Sequence, residues 1–134
     1  MPQIQNRKLD IKQIKEKALA ECTVTCQIVF SPDELQFMNN NPLMKFNLKC
    51  ELWGEDSGFE GGDKLLWTFD GVFSFPDSTP TKTENAQFFV VLGDDVLDED
   101  KLFNKQDEIY GKLILTHKLF QTVSRKTNIA KIYA

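Results

Sequence analysis

The sequence predicts an all-β fold: an antiparallel β-sandwich of about six to seven strands, immunoglobulin-like in its general architecture. Two observations predict it. Apolar and polar residues alternate along several segments, and turn signals rich in Gly, Pro and Asn separate these segments. Such segments also build barrels, so a small closed β-barrel is the alternative. At 134 residues, the chain is expected to form one sandwich domain over 1–134.

The N-terminal part is predicted to contain a tail, an ambiguous segment and a long strand. We expect residues 1–8 to form a loose N-terminal tail. Residues 9–19 fit an edge strand, which we favour, or a short helix, because Ile11 and Ile14 also have helical spacing. Between residues 20 and 30 every even-numbered residue is apolar, which predicts a strand with one buried face.

A turn or a single helical turn is predicted after this strand. Ser31 is a typical helix cap, and Pro32 is favoured at the first helical position. Residues 39–42, with the sequence Asn-Asn-Asn-Pro, are expected to form a loop.

The clearest strand pattern lies in the middle of the chain, over residues 45–52. Its apolar positions are Phe46, Leu48, Cys50 and Leu52. A Gly-rich loop follows, and then comes a second apolar row with Leu65, Trp67, Phe69, Phe73 and Phe75. Gly71 within this row indicates a bulge. The two rows predict a long hairpin, or two strands that cross between sheets.

The C-terminal half is predicted to contain three further strands. Residues 76–85 are polar and include two prolines, which is typical of an exposed loop. The apolar run QFFVVL at 87–92 predicts a strand that is buried on both sides. We expect a strand over 108–116, a turn over 119–127 and a closing strand over 128–133.

Charge is distributed unevenly along the chain, whose net charge is −4. Residues 51–100 carry thirteen acidic side chains and two lysines, a net charge of −11, whereas residues 1–20 carry +3 and residues 117–134 carry +4. The acidic region disfavours a nucleic-acid partner. No apolar run is long enough to span a bilayer, so no membrane partner is expected. A protein partner or self-association is therefore predicted.

Two acidic clusters are candidate metal sites. The candidate ligands in loop 55–63 are Glu55, Asp56, Glu60 and Asp63, and those in loop 94–100 are Asp94, Asp95 and Asp98. Calcium binds several oxygen ligands from pliable loops, so the two loops would form one Ca²⁺ site if they lie at the same end of the sandwich. Neither cluster matches the pattern of a known calcium loop. No other cofactor is expected.

The cysteine content predicts reduced thiols and a cytoplasmic protein. Cys22, Cys26 and Cys50 are odd in number, and the first residues lack the apolar segment of a secretory signal. All three occupy predicted core positions. A zinc site is not expected, because two cysteines four residues apart on a strand lack a second ligand pair.

The sequence favours a binding module over an enzyme. It contains no recognisable catalytic motif, and His117 is the only histidine. The preferred hypothesis is a non-enzymatic protein-interaction module in which loops or an edge strand contact a partner, with Trp53 and Phe59 as aromatic anchors. Both side chains would otherwise simply cover the end of the core.

Two alternative functions remain open at this stage. A calcium-dependent binding domain would use the acidic loops described above. A carrier of a small apolar ligand would enclose a cavity lined by Trp53, Trp67, Phe69 and Phe73.

Overall fold

The computed structural model describes residues 1–55, 62–97 and 106–133. The elements in these ranges are β1 (Gln3–Ile14), β2 (Leu19–Val29), α1 (Pro32–Asn40), β3 (Phe46–Gly54), β4 (Lys64–Thr68), β5 (Phe73–Phe75), β6 (Thr83–Gly93), α2 (Asp94–Leu97), β7 (Gln106–Thr116) and β8 (Val123–Tyr133). A 3-10 turn at Lys15–Lys17 joins β1 to β2. Neither of the two described α-helices is long and apolar enough to cross a membrane.

The strands form two separate antiparallel sheets, which confirms the predicted sandwich over the closed-barrel alternative. One sheet has the order β1-β2-β6; the other has the order β4-β3-β7-β8, and β5 also pairs with β3. Eight strands are present where six to seven were expected. Immunoglobulin-like sandwiches have the same strand orders, A-B-E in one sheet and C′-C-F-G in the other. The difference is that their first sheet has a fourth strand, D, which pairs with E.

The inward faces of β2, β3 and β7 form the centre of the core. Their buried residues are Ala20, Cys22, Val24, Cys26, Ile28, Phe46, Leu48, Cys50, Leu52, Ile109, Leu113 and Leu115. The alternation in the sequence therefore predicted these inward faces correctly. All three cysteines are free thiols in this core, as expected.

The prediction of a loose tail over residues 1–8 was wrong. β1 already begins at Gln3, and Ile4 and Leu9 are both buried. A register shift lies between Gln5 and Lys8, where Asn6 adopts a positive φ of 51°. This bulge moves the buried face from even to odd positions, so the strand shows no simple alternation. The favoured edge strand is confirmed for the part of residues 9–19 that lies in β1.

Two boundaries also differ from the predictions. A capping box closes the start of α1, since Ser31 Oγ accepts from Glu34 N at 3.2 Å and Glu34 Oε1 accepts from Ser31 N at 2.7 Å. The capping box gives the backbone N–H groups of Ser31 and Glu34 hydrogen-bond partners, and Met38 is buried, so the helix continues for nine residues.

The predicted turn at 119–127 is shorter, because β8 begins at Val123.

The run at 87–92 is not buried on both sides. The outer face of the three-stranded sheet meets solvent, so the outward side chains of β6 are exposed: Phe89 is 53% exposed and Val91 is 46% exposed. The preceding aromatic row forms two short strands, β4 and β5, which both pair with β3 and are separated by residues 69–72.

One flank of the sandwich is closed by contacts between β1 and β8. Asn128 Oδ1 accepts from Leu9 N at 2.8 Å, and Asn128 Nδ2 donates to Leu9 O at 3.1 Å. Arg7 adds a second link, since its Nε donates to Lys126 O at 2.8 Å and its Nη1 donates to Ile4 O at 2.6 Å. The Asn128 amide thus pairs with the edge of β1 as a neighbouring strand would.

We expect Asn128→Ala to lower the free energy of unfolding by about 1–2 kcal/mol, because two hydrogen bonds to the β1 backbone are lost. Urea denaturation followed by tryptophan fluorescence measures the change. Asn39→Ala, on the exposed side of α1, is the matched control and should change stability by less than about 0.5 kcal/mol. Equal effects of the two substitutions would show that Asn128 does not close the flank.

Candidate interaction site

The predicted aromatic anchor Trp53 lies on the outer face of the larger sheet. It is half-buried, its Nε1 donates to Glu51 Oε1 at 3.0 Å, and Lys112 Nζ lies 5.2 Å from its ring centroid. These neighbours hold the indole against the outer face of the sheet. Phe59, the other predicted anchor, lies outside the described residues.

The predicted metal ligands are only partly described. Glu55, Asp63, Asp94 and Asp95 lie in the described ranges, whereas Asp56, Glu60 and Asp98 lie outside them. Within the described ranges, no three His, Cys, Asp or Glu side chains are grouped closely enough to hold a metal ion.

The calcium hypothesis requires that the two acidic segments lie at the same end of the sandwich, and their described parts meet this condition. α2, which begins at Asp94, packs against β4, which follows Asp63, so the two segments lie at the same end of the sandwich. The Asp63 carboxylate already has partners: it accepts from Tyr110 OH at 2.6 Å and lies 3.8 Å from Lys126 Nζ. The Ca²⁺ site remains a prediction.

An aromatic groove opens on the flank opposite the β1–β8 contact. Its volume is about 290 Å³, and it lies between β6 and the two short strands β4 and β5. The side chains that form it include Trp67, Phe69, Asp70, Phe73, Phe88 and Phe89. Three of the four residues predicted to line a carrier cavity are therefore together, but in an open groove and without Trp53.

Phe88 connects the two walls of the groove. Its ring centroid lies 5.5 Å from that of Phe69 and 5.1 Å from that of Phe73, the latter at an interplanar angle of 90°. Edge-to-face pairs of this kind add to the energy of apolar burial. The groove therefore has a packed aromatic floor, and its opening faces solvent beside Phe89.

Large apolar side chains surround this opening. Phe89 and Val91 project from the outer face of β6, and Val72, 55% exposed, lies in the turn between β4 and β5. Single exposed apolar residues are common, but Phe89 itself lines the apolar groove and Val72 lies between two of its lining residues, Gly71 and Phe73, an arrangement that is typical of an interaction site.

In the part of the chain that the structure describes, the strand along this groove has few of the usual protections of a sheet edge. Within the described ranges, β6 pairs only with β2, in a continuous register over eleven residues. It contains no proline, lysine or arginine, and Glu84 is its only charged residue. By contrast, the opposite edge strand β1 has a bulge, several charged residues and a cover from β8. Natural edge strands normally carry such features, because a bare edge pairs with other chains.

The free edge of β6 lies where strand D occurs in immunoglobulin-like sandwiches. β6 has the position of strand E, and the residues between β5 and β6 form no strand beside it. The described smaller sheet therefore has three strands instead of four. The groove lies at the edge of β6, where strand D of an immunoglobulin-like sandwich would pair.

The groove wall also contains an unsatisfied hydrogen-bond donor. Trp67 Nε1 is buried and has no hydrogen-bond partner among the described residues. A buried donor without an acceptor lowers the stability of the folded chain.

The surroundings of the groove are acidic. Asp70 lies at the groove, Glu84 is near one end of β6, and Asp94 and Asp95 follow the other end. Over residues 64–97, five acidic side chains face only two lysines, a net charge of −3. A cationic partner is therefore favoured at this flank.

The thiols offer no reactive nucleophile. Burial raises the pKa of Cys22 to about 12 and that of Cys26 to about 11, and it raises the pKa of Cys50 still further. Because the thiolate is the reactive form, these side chains act as small apolar core residues at neutral pH.

The single histidine is buried in a cage of aromatic rings. The ring centroid of His117 lies 4.4 Å from that of Phe46, 4.9 Å from Phe120 and 5.6 Å from Phe37. Its Nδ1 accepts from Leu119 N at 3.0 Å. Burial lowers the pKa of His117, and the carbonyl of Met44, which favours the protonated ring, offsets this only in part.

Comparisons with known proteins do not assign a family. No protein-family model matches the chain, and no curated protein matches it. Among solved structures, one described as "X-ray structure of Northeast Structural Genomics Consortium target SoR45" has 10% sequence identity and a TM-score of 0.40, and the match covers 99% of this chain and 84% of that chain.

Sequence reasoning missed the groove because it treated the run at 87–92 as fully buried. A signal for the correct assignment was present in the flanking residues. Asn85 and Gln87 share the parity of Phe89 and Val91, and polar residues at these positions indicate a face in contact with solvent.

We expect the chain to lose stability in mild acid through His117. The pKa of this group is lower in the folded state than its ordinary value of 6.5, so the unfolded chain binds the proton first. Stability is therefore retained above about pH 6.5 and falls as the pH drops from there towards the lowered folded-state pKa.

His117→Phe keeps an aromatic ring in the cage and removes the titration. Urea denaturation at a series of pH values between 7.5 and 5, on the order of half a unit apart, measures the difference. The wild-type chain should lose more stability over this range than the variant. Parallel pH profiles would contradict the role assigned to His117.

Proposed function

We propose that this chain is a non-enzymatic protein-interaction module whose partner binds at the open flank between β6 and the β4–β5 segment. One observation carries the proposal: an aromatic groove lies directly beside an edge strand whose free side is paired with no strand among the described residues. The sequence-based hypothesis allowed contact through loops or through an edge strand, and this proposal adopts the edge strand. It places the contact at the groove and not at Trp53.

The physical benefit of binding there is the removal of apolar surface from water. Phe89, Val91 and Val72 are each about half exposed, and full burial of such a side chain contributes about 1–2 kcal/mol. Aromatic residues at the centre of a contact, with a polar rim, are typical of binding hot spots. The groove has both features, since acidic residues border its aromatic floor.

The alternatives have less support. The groove is open along one side and holds about 290 Å³, at the lower end of the roughly 300–1,000 Å³ of small-molecule sites. This shape suits a polypeptide segment better than an enclosed apolar ligand. The calcium-dependent function has one favourable observation, the shared location of the acidic segments, and no described cluster of ligands.

The proposal includes a cytoplasmic location, as the sequence predicted. It is supported by three unpaired thiols, all buried within the core. Proteins of oxidising compartments usually pair their cysteines, whereas cytoplasmic proteins keep them reduced.

We expect Phe89→Lys to weaken partner binding at least about tenfold, because it places a charged side chain where apolar surface must be buried. A random-peptide display library, selected against the wild-type chain, supplies the probe peptides. Fluorescence anisotropy with the selected peptides then measures the dissociation constant for each variant.

Ile129→Lys is the matched control. Ile129 is 44% exposed on β8, away from the groove, so the same change in chemistry should leave binding within about twofold. Thermal melting of both variants verifies that they fold. The proposal is wrong if no peptide is selected, or if both variants bind the selected peptides equally well.

A further inference from the structure

Resting on the proposed function, we infer the chemistry of the partner: an extended basic segment that adds to β6 as a new strand, with apolar side chains at alternate positions. The segment takes the place that strand D has in immunoglobulin-like sandwiches. The inference concerns how the partner binds and what it carries.

The backbone of β6 provides the first argument. Strand addition pairs the N–H and C=O groups on the free side of an edge strand with those of an incoming chain. β6 is eleven residues long and keeps one register with β2 throughout, so its free side presents a regular row of these groups. The groove extends along residues 87–90 of this strand, which centres the contact there.

The side chains on both faces of β6 provide the second argument. A strand beside β6 would direct every other side chain inward, onto the groove floor that Phe88 and Phe73 form. The remaining side chains would lie on the outer face, next to Phe89 and Val91. Cross-strand neighbours stabilise a sheet by direct contact. Apolar residues at the inward positions are therefore required, and the outward positions contact a surface that is apolar in part.

The charges decide between a foreign segment and a second copy of this chain. Two β6 strands paired with each other would bring together two sets of Glu84, Asp94 and Asp95, and like charges across a contact oppose association. A segment that carries lysine or arginine instead meets Asp70 at the groove, Glu84 near one end of β6, and Asp94 and Asp95 after the other end. We therefore infer a basic foreign segment.

Three synthetic nine-residue peptides test the pattern and the charge. The first alternates valine and lysine, the second alternates valine and glutamate, and the third has the composition of the first with all valines in one block. We expect the first to bind at least about tenfold more tightly than either of the others, and its affinity to fall as salt is raised. Fluorescence anisotropy with labelled peptides measures all three.

Two backbone-methylated forms of the first peptide test the strand pairing. Successive N–H groups of a strand point to opposite edges, so methylation of odd positions and methylation of even positions block different edges. One methylated form should lose at least about tenfold in affinity, while the other retains it. Amide signals of residues 87–91 in nuclear magnetic resonance spectra should shift on addition of the unmodified peptide and not with Phe89→Lys.

The outcomes separate the inference from the proposed function. If library-selected peptides bind at the groove but methylation of either edge has the same effect, or acidic peptides bind best, the inference is wrong and the proposed function stands. If no peptide of any kind binds at the groove, both are wrong. A dimer of the free chain in light scattering at micromolar concentration, abolished by Phe89→Lys, would show that a second copy occupies the edge and would overturn the inference.

Discussion

The contact between Asn128 and the backbone of Leu9 determines which flank of this sandwich is closed. Two stacked sheets always have two open flanks, because the strands at their edges lack neighbours on one side. Here the side-chain amide of one sheet pairs with the edge strand of the other, and Arg7 adds a second connection nearby. The chain has no equivalent contact among the described residues at the other flank. The asymmetry of the molecule follows from this difference.

Local patterns in the sequence were sufficient for the strands whose surroundings are simple. β2 and β3 lie within their sheets, have one inward face and keep a continuous register with β6 and β7, respectively, so their alternation of buried and exposed residues is preserved. The start of β1 was missed because the bulge at Asn6 changes the buried positions from even to odd, and a simple alternation rule does not detect such a change. The length of α1 depends on Met38 entering the core, which the cap at Ser31 does not reveal.

The candidate site was harder to predict, for a physical reason. Whether β6 is a central strand or an edge strand depends on whether a second strand, from elsewhere in the chain, pairs with its other side. The residues of β6 do not determine whether such a strand is present. The aromatic residues of the groove were recognised as a group. Their placement at an open flank was not, because it results from the separation of β4 and β5 and from the absence of a described fourth strand beside β6.

The bare edge of β6 also has a consequence for the behaviour of the chain when it is alone. An unshielded strand is a template for uncontrolled sheet growth, so freshly made copies without a partner are exposed to aggregation. The acidic residues around β6 keep copies apart by repulsion, and this safeguard weakens as ionic strength rises. On the proposed function, such a protein is best produced together with its partner and in matched amounts, because the partner would cover the free edge of β6.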